Sequence, residues 1–164
     1  MTKLKFDSTS SIKGVLYQFF VALEQCFKMR EGQAVYIETY GDVSVLGNLF
    51  DSKQIESKLY KKALTDSDKN VWKSLYNWMR EDFPIDTFSS LILLTTQKVP
   101  IGSAWLNWNG KNPSERMEVL RNIKSNFDSR KRKDKDIAAY MTAIFDAKNA
   151  TRLSLVAKML YIDS

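Results

Sequence analysis

Three residues in this chain have types and spacing suited to hydrolytic chemistry: Asp42, Glu56 and Lys58. Glu56-Ser57-Lys58 falls in a stretch, Phe50 to Leu59, that reads as a β-strand. Residues two apart on a strand share a face, with roughly 7 Å between them along the backbone, so both heads reach one site. Asp42 opens the preceding apolar stretch, and if that strand pairs alongside, its carboxylate approaches Glu56. Two facing carboxylates repel unless a cation lies between them. Mg2+ suits such a place, because it binds through a few carboxylate oxygens, keeps several waters and takes an oxygen from a substrate phosphate. The chemistry indicated is phosphodiester hydrolysis, with Mg2+ as cofactor, Mn2+ able to replace it, and Lys58 orienting or deprotonating the attacking water. Gln54, on the same strand face, is a candidate to hold a phosphate or a metal-bound water, and Glu38, before the Gly41 turn, a candidate further ligand or base. Taken alone, Glu-x-Lys is also the ordinary charge pattern of a solvated strand.

Composition narrows the alternatives. The chain has no histidine and one cysteine, which removes Ser-His-Asp and Cys-His triads, multi-cysteine zinc sites and an intrachain disulfide framework. Carboxylates and lysines remain, and these suit hard ions. A formal charge of +6 favours a polyanionic partner. No apolar run is long enough to span a bilayer and the polar N-terminus lacks the apolar segment of a signal peptide, so a cytoplasmic protein is expected.

The elements that must position these residues follow from periodicity. Ile12, Val15, Leu16, Phe19, Leu23, Cys26 and Phe27 recur at helical spacing, which predicts an amphipathic helix from Ser11 to Lys28 with that stripe buried, Cys26 included, and Ser10 or Ser11 as its cap. Alternation then predicts strands over 34–38 and 42–46, a turn at Gly47-Asn48, and the third strand carrying Glu56 and Lys58. Thr65 or Asp66 is placed to cap a helix whose core side carries Val71, Trp72, Leu75, Trp78 and Met79. Phe88 to Thr95 reads as a fourth strand, and helices are expected near Pro113–Asn126, Lys135–Ala147 and Thr151–Leu160. The order predicts one α/β domain over 1–164, with a mixed sheet of four or slightly more strands flanked by helices and a helical C-terminal part. The apolar stretch from Met159 is unlike a domain's usual polar tail, and suggests the N-terminal part of a longer protein.

Gly14-Val15-Leu16-Tyr17-Gln18 with Val21-Ala22-Leu23, then Val35-Tyr36-Ile37-Glu38 with Gly41-Asp42-Val43, then Gln54-Ile55-Glu56-Ser57-Lys58, resemble the PD-(D/E)xK restriction-like nuclease domain of bacterial anti-phage effectors. These include the nucleotide-activated endonucleases of CBASS systems and the nuclease subunits of Lamassu-type systems. The resemblance covers Gly14 to Lys58, with Trp72–Trp78 and Leu91–Thr95 in compatible places. It implies a restriction-endonuclease-like core and metal-dependent cleavage of double-stranded DNA, held in check by a second domain or partner. It assigns Asp42 and Glu56 as metal ligands, Lys58 as the catalytic lysine and Gln18 as an accessory residue. Many members have Gln-x-Lys where this chain has Glu56-Ser57-Lys58. Members also often carry a more acidic stretch before the aspartate, whereas Thr39-Tyr40-Gly41 intervenes here, which leaves the part of Glu38 open.

For DNA contact the candidates are Lys61 and Lys62, after the third strand, and the run Arg130-Lys131-Arg132-Lys133, between two helices. A solvated loop is the competing reading of each. Trp72 and Trp78 belong on a core face, while Trp105 and Trp108, beside Gly102 and Gly110, suit a domain or subunit interface. Self-association or partner subunits are expected, because cutting both strands commonly takes two sites. The readings kept beside the nuclease are a non-catalytic DNA-binding or assembly module of the same fold, and a basic helical adaptor with Asp42 and Glu56 far apart.

Overall fold

The computed structural model describes residues 9–48 and 50–164. The polar stretch 1–8, read above as carrying no leader, lies outside the described residues, as does residue 49. Five strands form one sheet in the order β1 (Ala34–Ile37), β2 (Val43–Leu46), β3 (Lys53–Lys58), β4 (Ser90–Thr95), β5 (Leu160–Asp163). β1, β2 and β3 are antiparallel neighbours, whereas β4 and β5 add in parallel. Around the sheet stand α1 (Thr9–Lys28), α2 (Lys69–Met79), α3 (Pro113–Asp128), α4 (Lys135–Ile144) and α5 (Ala150–Met159). The chain is therefore α/β with a mixed sheet. None of the described helices is long and apolar enough to cross a membrane.

Short-range chemistry sets the β2–β3 hairpin. The Ser52 hydroxyl accepts from the Gly47 N–H and donates to the Asn48 carbonyl, both at 3.0 Å, while the Asn48 side chain accepts from the Phe50 N–H. The parallel pair β3–β4 requires a crossover, which α2 supplies. Its N-cap is Asp68, not Thr65 or Asp66. Asp66 instead accepts from the Ser103 hydroxyl and the Ala104 N–H, both at 2.8 Å, and so pins the loop after β4.

The two sheet faces differ. Val43 and Ile55 pack against Val21 and Ala22 of α1, with Ile92 and Leu94 beside them. Leu91 and Leu93 face the larger core, where α2 contributes Val71, Trp72, Leu75, Trp78 and Met79 as expected. By alternation and register, Gln54, Glu56 and Lys58 lie on that second face, next to Leu91, Leu93 and Thr95.

Three expectations are corrected. The large apolar stripe of α1 points outward: Leu16 and Phe19 are about half exposed, Phe27 is 83% exposed, and Cys26 is exposed. What meets the sheet is the opposite stripe of Tyr17, Val21, Ala22 and Gln25, whose smaller members let the helix lie close to Val43 and Ile55. Trp105 and Trp108 lie 1% exposed within the chain's own core, not at a surface. Their indole N–H groups donate to the carbonyls of Thr65 and Leu160. The stretch from Leu160 is a fifth strand.

Arg116 of α3 holds β5 in place. Its guanidinium donates to the carbonyls of Ala157, Lys158 and Leu160 and to that of Asn109, between the rings of Trp108 and Tyr161. Ala157 and Lys158 supply C-terminal carbonyls of α5, where a cation is favoured. The Asn109 amide pairs with both the N–H and the carbonyl of Ile162. Arg116→Met keeps the volume and removes four donor bonds, so thermal unfolding should fall by roughly 5–12 °C, as about 3 kcal/mol implies for a chain of this size. Calorimetry that finds an unchanged melting temperature refutes this role.

Candidate functional site

β2 and β3 pair with Val43 opposite Ile55 and Ser44 opposite Gln54. Continuing that register by one residue sets Asp42 opposite Glu56, at the end of the ladder. Asp42 Oδ2 there takes the place of a strand carbonyl: it accepts from the Ser57 backbone N–H at 2.8 Å and from the Ser57 hydroxyl at 3.2 Å. Lys58 Nζ donates to the same oxygen at 3.2 Å and to Glu56 Oε2 at 2.8 Å. Asp42, Glu56 and Lys58 thus form one cluster, with side-chain exposures of 16%, 8% and 17%.

A second layer holds Glu56. Gln54 Nε2 donates to Glu56 Oε1 at 3.2 Å, Trp78 Nε1 donates to Gln54 Oε1, and the Ser74 hydroxyl reaches Glu56 Oε2 at 3.5 Å. Gln54 therefore touches the carboxylate and not open solvent, and α2 locks it. Gly41 has φ 106° and lies against both side chains; a Cβ there would stand 2.3 Å from Gln54 Nε2 and 2.9 Å from Glu56 Oε1. A cleft of about 440 Å3, lined by Tyr40, Gly41, Glu56, Asn77, Trp78 and Arg80 among others, gives access to Glu56.

The cation joining the two carboxylates is Lys58 itself. Burial works to lower its pKa, but the Glu56 and Asp42 charges and their hydrogen bonds outweigh this, and the net shift is upward. Lys58 is accordingly an ammonium through the neutral range. The stability it contributes is complete below the ordinary lysine pKa and is lost only in alkali, as pH rises through the raised value.

The other expected residues are placed as follows. Glu38 is exposed in the β1–β2 turn with φ 56°, and its backbone N–H, not its carboxylate, is tied to Asp42, through the carbonyl at 3.2 Å. Among the described residues no three acidic or cysteine side chains converge to hold a metal. Gln18 is half-buried on α1, which packs on the sheet face opposite Glu56. Lys61 and Lys62 are exposed after β3, and Arg130, Lys131, Arg132 and Lys133 are exposed between α3 and α4. The Asp68 cap of α2 accepts from Gln97, just past β4, and Arg130 borders the Asp66-Ser67 loop that leads into that cap. Both groups thus lie toward the carboxyl ends of β3 and β4, the end at which Lys58 stands.

Neither periodicity nor motif spacing marks Ser57, Ser74, Trp78 or Gly41 as site residues. Ser74 left a trace, as a small polar residue on an otherwise apolar helix face. Comparison with family models, with curated proteins and with solved structures finds no match to this chain.

Proposed function

We propose that the chain is a metal-dependent endonuclease acting on double-stranded DNA, with a restriction-endonuclease-like core. The observation that carries this reading is the convergence of Asp42, Glu56 and Lys58 at the end of one hairpin, partly buried, with Glu56 lining a cleft. The donor set fits Mg2+: Asp42 and Glu56 offer hard oxygens, and one or two carboxylates suffice where waters and substrate phosphates complete the shell. A bound Mg2+ would supply Lewis-acid stabilisation of charge on the phosphate and ease ionisation of water. The chain's own residues do the rest. Asp42 and Glu56 would hold the ion, while Gln54 and Ser74 fix the Glu56 rotamer and Ser57 fixes Asp42. Lys58, kept protonated, serves as a donor that orients the attacking water and offsets charge building on the phosphate oxygens. Lys61, Lys62 and the Arg130–Lys133 run hold the duplex by its backbone without reading sequence. Anti-phage defence under control of another domain or partner is the setting that the motif resemblance supports.

Supercoiled plasmid incubated with the protein should be nicked and linearised with Mg2+ or Mn2+ and left intact in excess chelator. The second reading, a non-catalytic DNA-binding module, is favoured by one observation: Lys58 already bridges the two carboxylates and offsets part of their charge. It predicts retarded but uncut DNA under both conditions, and that outcome would replace the first.

A further inference from the structure

Among the described residues, the strongest apolar feature of the sequence has no partner inside the chain. On α1, positions 12, 16, 19, 23 and 27 lie opposite the stripe of Tyr17, Val21, Ala22 and Gln25 that meets the sheet. Ile12 is 55% exposed, Leu16 50%, Phe19 53%, Phe20 67%, Leu23 51% and Phe27 83%. At on the order of 100 Å2 for each half-exposed Leu, Ile or Phe, these six present roughly 700 Å2 of apolar surface. That exceeds the ~300–600 Å2 of the largest patch on a typical monomer and approaches the ~800 Å2 per partner of a specific interface.

The spacing of this face identifies its occupant. Reversing the helix about the point between Phe19 and Phe20 maps the stripe onto itself: Ile12 falls on Phe27, Leu16 on Leu23, Phe19 on Phe20. Such self-complementarity is what a two-fold interface requires, since each contact must occur twice with the roles exchanged. The flanking charges obey the same operation. Lys13 and Glu24 lie on one flank of the stripe, and in an antiparallel pair Lys13 of one copy comes level with Glu24 of the other, within about one helical turn. We propose that the outer face of α1 is a homodimer interface, in which two copies pair through antiparallel α1 helices about a two-fold axis between Phe19 and Phe20. α1 lies on the sheet face opposite the carboxylate–lysine cluster, so pairing and DNA cleavage are tested separately.

Analytical ultracentrifugation of the full chain should give a dimer at micromolar concentration. Leu16→Glu with Leu23→Glu, both on the solvent side of α1, should weaken it at least about a hundredfold while the far-UV circular dichroism is retained. Geometry is read by cross-linking in a Cys26→Ser background under copper–phenanthroline. Phe19→Cys, next to the axis, should form a disulfide with its own copy. Ile12→Cys and Phe27→Cys should form none singly and a covalent dimer when combined. A protein that stays monomeric at roughly 100 μM, weaker than interfaces of this size give, overturns the proposal, whether or not α1 then binds vesicles or another protein. So does a dimer that survives the two glutamates, or an Ile12→Cys chain that cross-links alone.

Discussion

Lys58→Ala is expected to lower Mg2+-dependent cutting of duplex DNA by about a thousandfold, the order found when a donor aimed at developing charge is removed. The substitution does two things that can be told apart. It removes the ammonium that would face the phosphate, and it leaves Asp42 and Glu56 without the cation that now joins them. With the carboxylates unpaired, the variant should be less stable without metal and should gain more in melting temperature on adding Mg2+ than the unaltered chain does, because a ligand that binds the folded state stabilises it. Glu56→Ala removes the second ligand altogether, so it should lose both cutting and the Mg2+-induced shift. Measured together, plasmid cleavage and thermal shift separate the lysine's part from the carboxylate's. Undiminished cutting by both variants would remove the cluster from the chemistry.

Gly41→Ala should be nearly as damaging, although it adds one methyl group to a turn. The new Cβ would meet Gln54 Nε2 and Glu56 Oε1 well inside contact distance, and φ of 106° is a conformation that side-chain-bearing residues rarely adopt. Neither neighbour yields easily: Gln54 is fully buried and bonded to the Trp78 indole, and Glu56 is bonded to Lys58. A loss of about 2–4 kcal/mol is expected, or roughly 5–15 °C in melting temperature. Cutting at a temperature where the variant is folded should still fall, because the Glu56 carboxylate is displaced. A variant that melts and cuts like the original would show that the turn has room to move.

Much of this was legible in the residues. The hairpin could be read because alternation, the Gly47-Asn48 turn and the Glu56–Lys58 spacing all depend on neighbours in sequence, and register then followed from pairing. The α2 core face was legible for the same reason. What could not be read were choices among long-range partners. Helical spacing located the larger apolar stripe on α1 and set it against the sheet, but that stripe lost to the opposite one, which fits closely over Val43 and Ile55. Trp105 and Trp108 sit in an irregular stretch, so their burial depends on Thr65 and Leu160, distant in the chain. The strand β5 is four residues long and its pairing with β4 crosses three helices, so no local pattern distinguished it from the end of α5. Within the site, Trp78 was correctly a core residue, yet its indole N–H also reaches Gln54, a second role that periodicity does not encode.

The treatment of β5 bears on whether the sheet can recruit other chains at its edge. A strand with only one neighbour offers a free backbone to any other extended chain, and this is a common route to fibrils. Here the outward backbone groups of β5 are already taken: Ile162 by the Asn109 amide, and the Leu160 carbonyl by Trp108 and Arg116. Side chains from the preceding loop and α3 thus stand in for a sixth strand. They close that margin of the sheet to templated growth.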